Sequence, residues 1–196
     1  MNIYADTLRL IHETRDDSDL LPDIKPKVLG WLKSACPYLA ENVTDRLRTL
    51  IEQVPDTKNL LHCDYHTNNI MMQNDEAMII DLDSLSVGHP IFELANVYIT
   101  YVGFGIDDPT NVEKFLKLPY QTAIRLWDVF IRRYLHTEDE AVIRDVEKKA
   151  GILSNLRIIH HTIRRGGTGT ELGRRTIERC IKDLSEQVFE VDTLVF

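Results

Sequence analysis

One stretch, residues 60–95, constrains the fold of this chain more than any other. It contains two short apolar runs, Asn69–Met72 and Ala77–Ile80, separated by the polar residues Gln73–Glu76. Two such runs on either side of a turn predict a β-hairpin. Because a hairpin brings the outer ends of its strands together, the polar residues that flank it should lie close in space. The sequence therefore predicts a site at the open end of this hairpin.

The residues at that open end are rich in side-chain oxygen atoms. Asp64 and Asn69 come before or at the start of the first run, and Asp81 and Asp83 follow the second. Such oxygens are the ligands of Mg²⁺, which fills the rest of its shell with water and phosphate oxygens. The histidines are too few, and the cysteines too remote, for a zinc site. A carboxylate that stays off the metal could accept a proton from an attacking hydroxyl, so the set predicts phosphoryl transfer.

The spacing of these residues matches a known catalytic loop. His62, Asp64 and Asn69 fit the pattern H-x-D-x-x-x-x-N. The segments HCDYHTNN, IDLD and GHPIFELA, in that order, resemble the aminoglycoside phosphotransferase and choline kinase superfamily, which has a protein-kinase-like fold. Its motifs read H-G-D-x-H-x-x-N and G-x-P-x-x-D-L-A, so Cys63 and Glu93 stand where the family has Gly and Asp.

The resemblance implies a role for each of these residues. Asp64 would be the catalytic base, and His62 a structural member of the catalytic loop. Asn69 and Asp81 would bind Mg²⁺ and, through it, the phosphates of ATP as co-substrate. Asp83 would be an additional metal ligand, although a role as a cap after the strand is equally open. The acceptor would be a small-molecule hydroxyl, as on an aminoglycoside, choline, homoserine or a sugar-like metabolite.

The remainder of the chain is predicted to be mainly helical. Apolar residues at helical spacing, with prolines and cap residues at the ends, predict helices at 3–14, 27–36, 43–54, 91–102, 111–118, 121–135, 138–165 and 171–191. Thr137 is expected to cap the helix that follows it. A short strand at Leu60–Leu61 leads into the catalytic loop. The fold class is therefore mainly α, α+β overall, in one domain of 1–196 with a helical subregion at 97–196.

The resemblance also implies that the chain corresponds to the C-terminal lobe of the kinase-like fold. In the family an N-terminal lobe, mostly antiparallel sheet, supplies a glycine-rich loop and a strand lysine that hold the ATP phosphates. Neither pattern precedes Asp64, so this lobe is expected to be absent. A fragment of a longer protein and a natural loss of the lobe are both open. Such a chain should bind ATP poorly, and its exposed cleft face could form a homodimer.

Charge and cysteine content narrow the classes of partner and compartment. A net charge of −8 argues against an extended nucleic-acid-binding surface and is compatible with a cationic acceptor, which Asp107 and Asp108 could attract. No apolar stretch approaches the ~20 residues of a transmembrane helix, and no signal peptide is visible, so no membrane association is expected. A cytoplasmic location is the simplest interpretation of three widely spaced cysteines, which are Cys36, Cys63 and Cys180.

One further segment and two further functions stay open. Gly166–Gly173, between two arginine pairs, could present backbone amides and guanidinium groups to a phosphate. A connector between helices is favoured, because no Lys-Ser or Lys-Thr follows as a P-loop requires. A non-catalytic binding or scaffold protein derived from such a kinase, or an inactive fragment, is the main alternative function. A metal-dependent hydrolase is a more distant one.

Overall fold

The computed structural model describes residues 1–74 and 76–196, and within them it is mainly helical, with 65% helix and 8% strand. This confirms the prediction that the chain is mainly helical with small sheets. The helices are α1 Asn2–Glu13, α2 Lys25–Ala35, α3 Glu41–Glu52, α4 Ile91–Tyr101, α5 Pro109–Leu116, α6 Tyr120–Leu135, α7 Glu140–Arg164 and α8 Glu171–Gln187. The strands are β1 Leu60–Leu61, β2 Ile70–Gln73, β3 Glu76–Ile79 and β4 Ser86–Val87. None of the helices described is long and apolar enough to span a bilayer.

Two predicted helix ends are wrong for identifiable reasons. The N-cap of α7 is Asp139, whose carboxylate accepts a hydrogen bond from the Ala141 amide, while the Thr137 hydroxyl accepts one from the Asp139 amide. At the other end of the chain, α8 ends at Gln187 rather than Val191. Val191 is nevertheless buried, because the tail that follows α8 returns to the core. The apolar side chain of Val191 is therefore explained by packing against the core and not by a longer helix.

The predicted hairpin is present. Strands β2 and β3 pair antiparallel, with Ile70 opposite Ile79 and Gln73 opposite Glu76. Asn74 has a left-handed backbone with a φ of +51°, as tight turns require, and Asp75 of the predicted turn lies outside the described residues. A second antiparallel pair, β1 with β4, was not predicted. It ties the start of the catalytic loop to the segment that leads into α4.

Helix α4 lies at the centre of the packing. Nearly all of its residues are buried, and it contacts both α6 and α7. Ile91 and Phe92 belong to one apolar cluster with side chains of α2, α3, α7 and α8. Leu94 and Tyr101 belong to a second cluster with side chains of α1 and α6. Because it is held from both sides, α4 is a fixed platform for the catalytic loop that crosses its first turn.

Candidate active site

One side chain of α4, that of Glu93, supports the catalytic loop, residues 62–69. Glu93 is fully buried; its Oε2 accepts a hydrogen bond from the His62 amide at 2.7 Å and its Oε1 accepts one from the Cys63 amide at 2.6 Å. The imidazole of His12, which is buried against Tyr134, lies 3.1 Å from the same Oε2. Glu93 therefore braces the loop even though the family motif has the shorter Asp here.

The turn of the loop explains why the family has Gly where this chain has Cys63. Cys63 has a φ of +65°, a region in which a side chain is sterically unfavourable and Gly is not. Its thiol is buried, and this burial, together with the nearby charge of Glu93, raises the pKa of the thiol to about 12. The thiol is therefore protonated near neutral pH and does not act as a nucleophile.

His62 connects the loop to the far strand of the hairpin. The fully buried ring donates from Nε2 to the Ile80 carbonyl at 3.1 Å, and its Nδ1 accepts from the Asp64 amide at 3.3 Å. These two bonds together require the tautomer with the proton on Nε2. Because Ile80 precedes Asp81, His62 fixes the separation between Asp64 and the start of the second acidic segment. Its role as a structural member of the catalytic loop stays a prediction.

Asn69 lies between the two acidic segments. Its side-chain Nδ2 donates to the Asp64 carbonyl at 2.9 Å and lies 3.4 Å from Asp64 Oδ2. Its backbone carbonyl accepts from the Ile80 amide at 3.0 Å. Residues that are distant in sequence are thus brought together at the open end of the hairpin, as predicted. Among the described residues its Oδ1 accepts no hydrogen bond, so this oxygen is free for a cation.

Asp81 and Asp83 follow the hairpin on an exposed turn. Asp81 has a left-handed backbone, with a φ of +62°, and begins the 3₁₀ turn Leu82–Ser84 that contains Asp83. Backbone strain of this kind, worth about 1–3 kcal/mol, tends to occur at functional sites. No group of three His, Cys, Asp or Glu residues suited to a metal occurs in the part of the chain described. Two carboxylates and an amide oxygen instead fit Mg²⁺, which takes few protein ligands.

Asp64 faces a cleft of 520 Å³. Its walls are the end of α4, the 3₁₀ turn Gly103–Gly105, the second half of α7 and the first turn of α8. About half of the Asp64 side chain is exposed (46%). Its Oδ2 lies 3.6 Å from His66 Nε2, and this proximity, followed by the charge of Arg157, lowers the pKa of the Asp64 carboxyl. The carboxylate is therefore ionised at neutral pH, as a proton acceptor must be.

The two acidic residues considered for a cationic acceptor are both engaged elsewhere. Asp107 accepts a hydrogen bond from Arg179 Nε at 2.9 Å, and Arg179 also binds Asp183. Asp108 is the N-cap of α5, where its carboxylate accepts from the Thr110 amide. Asp107 is therefore paired with a positive charge, and Asp108 has a structural role as a helix cap.

Sequence analysis did not single out two polar residues, Asn96 and Arg157, that the structure connects to the catalytic loop. Asn96, in the apolar run of α4, donates to the Cys63 carbonyl at 3.4 Å and accepts a hydrogen bond from Arg157 Nη1. Arg157 lies in the apolar half of α7 and lines the cleft beside Asp64. Asn96 and Arg157 could both have been identified from the sequence, because each is a polar residue inside a strongly apolar helical run.

Comparison with known proteins identifies the family. A profile described as the phosphotransferase enzyme family matches residues 3–128, which include the whole catalytic loop and hairpin. The chain belongs to this family. The resemblance drawn from the three motifs is thus confirmed. No curated protein sequence matches the chain significantly.

A solved structure shares the fold. The ethanolamine kinase of Plasmodium vivax superposes with a TM-score of 0.50 and 18% identity, over 95% of this chain and 58% of that one. At this identity the likeness shows the fold alone. This chain therefore spans little more than half the length of the Plasmodium vivax kinase. The segment after residue 128, which contains α7 and α8, lies outside the range matched by the family profile.

Proposed function

We propose that this chain is the catalytic lobe of an ATP-dependent phosphotransferase that acts on the hydroxyl of a small molecule. The observation that carries the proposal is the position of Asn69, whose side chain binds Asp64 and whose backbone binds Ile80, next to Asp81. This proximity supports the proposal, because a proton acceptor and two oxygen ligands for Mg²⁺ would then lie side by side. Phosphoryl transfer requires this combination and little covalent chemistry.

Each of these residues has a defined task in such a reaction. The Asp64 carboxylate, ionised and open to the cleft, would orient the acceptor hydroxyl and take up its proton. Asn69 and Asp81, with Asp83 as a further ligand, would hold Mg²⁺, which when bound supplies charge neutralisation on the phosphates of ATP. His62 and Glu93 would keep the loop in position, because orientation contributes much of the rate in such reactions.

A transfer assay with labelled ATP and a panel of small hydroxyl compounds tests the proposal. Asp64→Asn should lower the rate at least about 100-fold, since it removes the proton acceptor while keeping the shape of the side chain. Asp17→Asn, at an exposed site far from the loop in sequence, is the matched control and should transfer normally. The melting temperature of Asp64→Asn should stay close to that of the wild type, because the side chain is half exposed.

Two results would contradict the proposal. Transfer by Asp64→Asn near the wild-type rate would remove Asp64 from the reaction. No transfer by the wild-type chain to any acceptor that it binds would favour the non-catalytic binding role instead.

A further inference from the structure

Arg157 is a charged residue in an unusual setting. Burial lowers the pKa of its guanidinium group. Among the described residues its polar contact is the Asn96 amide oxygen, its apolar contact is the ring of Trp31 at 5.4 Å, and no carboxylate pairs with it. Burying a charge without a directly paired opposite charge is costly, so such a group is suited to bind an anion from outside, although the more distant charge of Asp64 also acts on it.

Arg157 is one of three residues that form a basic stripe on α7. His161 and Arg165 follow it at intervals of four residues, so the three side chains lie on the same face of the helix. All three line the cleft that Asp64 faces. Arg165, at the end of α7, is exposed and forms no salt bridge with any described residue. This wall of the cleft therefore carries two positive charges that no described carboxylate pairs with directly.

No acidic residue of the described cleft forms an ion pair with this stripe, although the more distant charge of Asp64 acts on Arg157. Asp107 is paired with Arg179, and Asp64 lies at the reacting end. Burial, followed by the charges of Arg165 and Arg157, lowers the pKa of His161 to about 4. His161 itself is neutral near pH 7 and can hydrogen-bond to an anion.

The turn between α7 and α8 closes the same end of the cleft. Gly166 has a φ of +71°, and Gly173 allows the first turn of α8 to approach the Gly167 carbonyl, where a Cβ atom would collide. The glycines of the predicted connector are thus explained by the backbone. The connector also lines the cleft through Gly167, Thr170 and Gly173.

A short series of contacts joins the basic stripe to the catalytic loop. Asn96 accepts from Arg157 and donates to the carbonyl of Cys63, the residue just before Asp64. A group bound by Arg157 would therefore lie at a fixed position relative to the proton acceptor. Fixed orientation of this kind is what a phosphoryl acceptor requires.

We propose that the acceptor is a small hydroxyl compound that carries an anionic group, a carboxylate or a phosphate, and that Arg157 and Arg165 bind this group. Guanidinium groups suit such oxyanions because they can donate two parallel hydrogen bonds. This inference rests on the proposed function, since it takes the Asp64 cleft as the acceptor site. The overall acidity of the chain is compatible with a cationic acceptor, whereas this inference assigns the acceptor a negative charge.

Calorimetric titration without nucleotide or Mg²⁺ tests the inference on the whole chain. The probes are D-glycerate, glycerol 3-phosphate, glycerol and ethanolamine, which are small hydroxyl compounds that differ in charge. At least one of the two anions should bind about tenfold more tightly than glycerol and ethanolamine. The tighter of the two identifies the anionic group as carboxylate or phosphate. Tighter binding of ethanolamine, or no binding of either anion, would overturn the inference.

Two neighbouring arginines provide a matched pair of variants. Arg165→Gln should weaken binding of the anion about tenfold, whereas Arg164→Gln should not, because Arg164 is equally exposed but does not line the cleft. Arg157→Lys keeps the charge and should retain more affinity than Arg157→Gln. If the Arg157 variants fail to fold, the Arg164 and Arg165 pair still decides. Equal binding by these two variants would contradict the assignment.

The binding experiment and the transfer assay fail independently. Binding of an anion that depends on Arg165 would stand even if no phosphate were transferred. Transfer that depends on Asp64 would stand even if the acceptor were neutral or cationic. The two claims can therefore be told apart whichever of them is wrong.

Discussion

At the scale of single residues, Glu93 shows how a side chain longer than the one in the family motif can do the same work. Its two oxygens accept from two consecutive amides of the catalytic loop, and one also lies beside His12. The departure from the motif therefore leaves the loop supported. Because these amides are buried, they have no water to replace a lost acceptor.

Glu93→Gln should destabilise the protein by about 1–3 kcal/mol, because one of the buried amides would face an NH₂ group in place of an oxygen. Chemical denaturation followed by circular dichroism measures this change in the free energy of unfolding. Glu186→Gln, on the exposed face of α8, is the control and should change stability little. An equal, small effect in both variants would mean that Glu93 does not brace the loop.

Residues of the site were predictable where their spacing along the chain is fixed. Asp64 and Asn69 belong to one loop, and a single hairpin brings Asp81 to them, so local sequence was sufficient. Arg157 was not predictable in this way, because its polar partner Asn96 is 61 positions away. Its role depends on the packing of α7 against α4, which no local pattern encodes.

At the scale of secondary structure, the hairpin was predictable from local sequence, whereas β4 was not. Strands β2 and β3 follow from their apolar runs and the turn between them. Strand β4 has only two residues, Ser86 and Val87, and forms because β1 lies beside it. Such a short strand has no periodicity to detect, and its existence is a consequence of tertiary packing.

The connector between α7 and α8 makes a prediction about two glycines. Gly173→Ala should destabilise the protein by about 1–3 kcal/mol, because the added Cβ atom would collide with the Gly167 carbonyl oxygen. Gly169→Ala should be neutral or slightly stabilising, since the space around Gly169 is open and its φ is not positive. Thermal melts of both variants measure the difference. An unchanged melting temperature for Gly173→Ala would show that the connector and the first turn of α8 do not pack closely.

At the scale of the whole molecule, the two sides of the site differ in whether the family profile covers them. The catalytic loop and hairpin lie within the range matched by the phosphotransferase profile, while the basic wall of the cleft lies beyond it. Family membership therefore supports the reaction and leaves the acceptor open. The predicted homodimer through the exposed cleft face stays a prediction.

The central claim is that Asn69 and Asp81 hold Mg²⁺ with the phosphates of ATP next to Asp64. Calorimetric titration of the 196-residue chain with ATP, with and without Mg²⁺, tests it most directly. Asp81→Asn is the informative variant, because Asn tolerates the left-handed backbone of this position but lacks the charge. Asp17→Asn is again the control.

The account predicts weak binding that requires Mg²⁺ and that Asp81→Asn reduces at least about tenfold. Asp17→Asn should leave it unchanged. Binding that is equally tight without Mg²⁺, or that survives Asp81→Asn, would contradict the metal site and with it the proposed phosphotransferase mechanism.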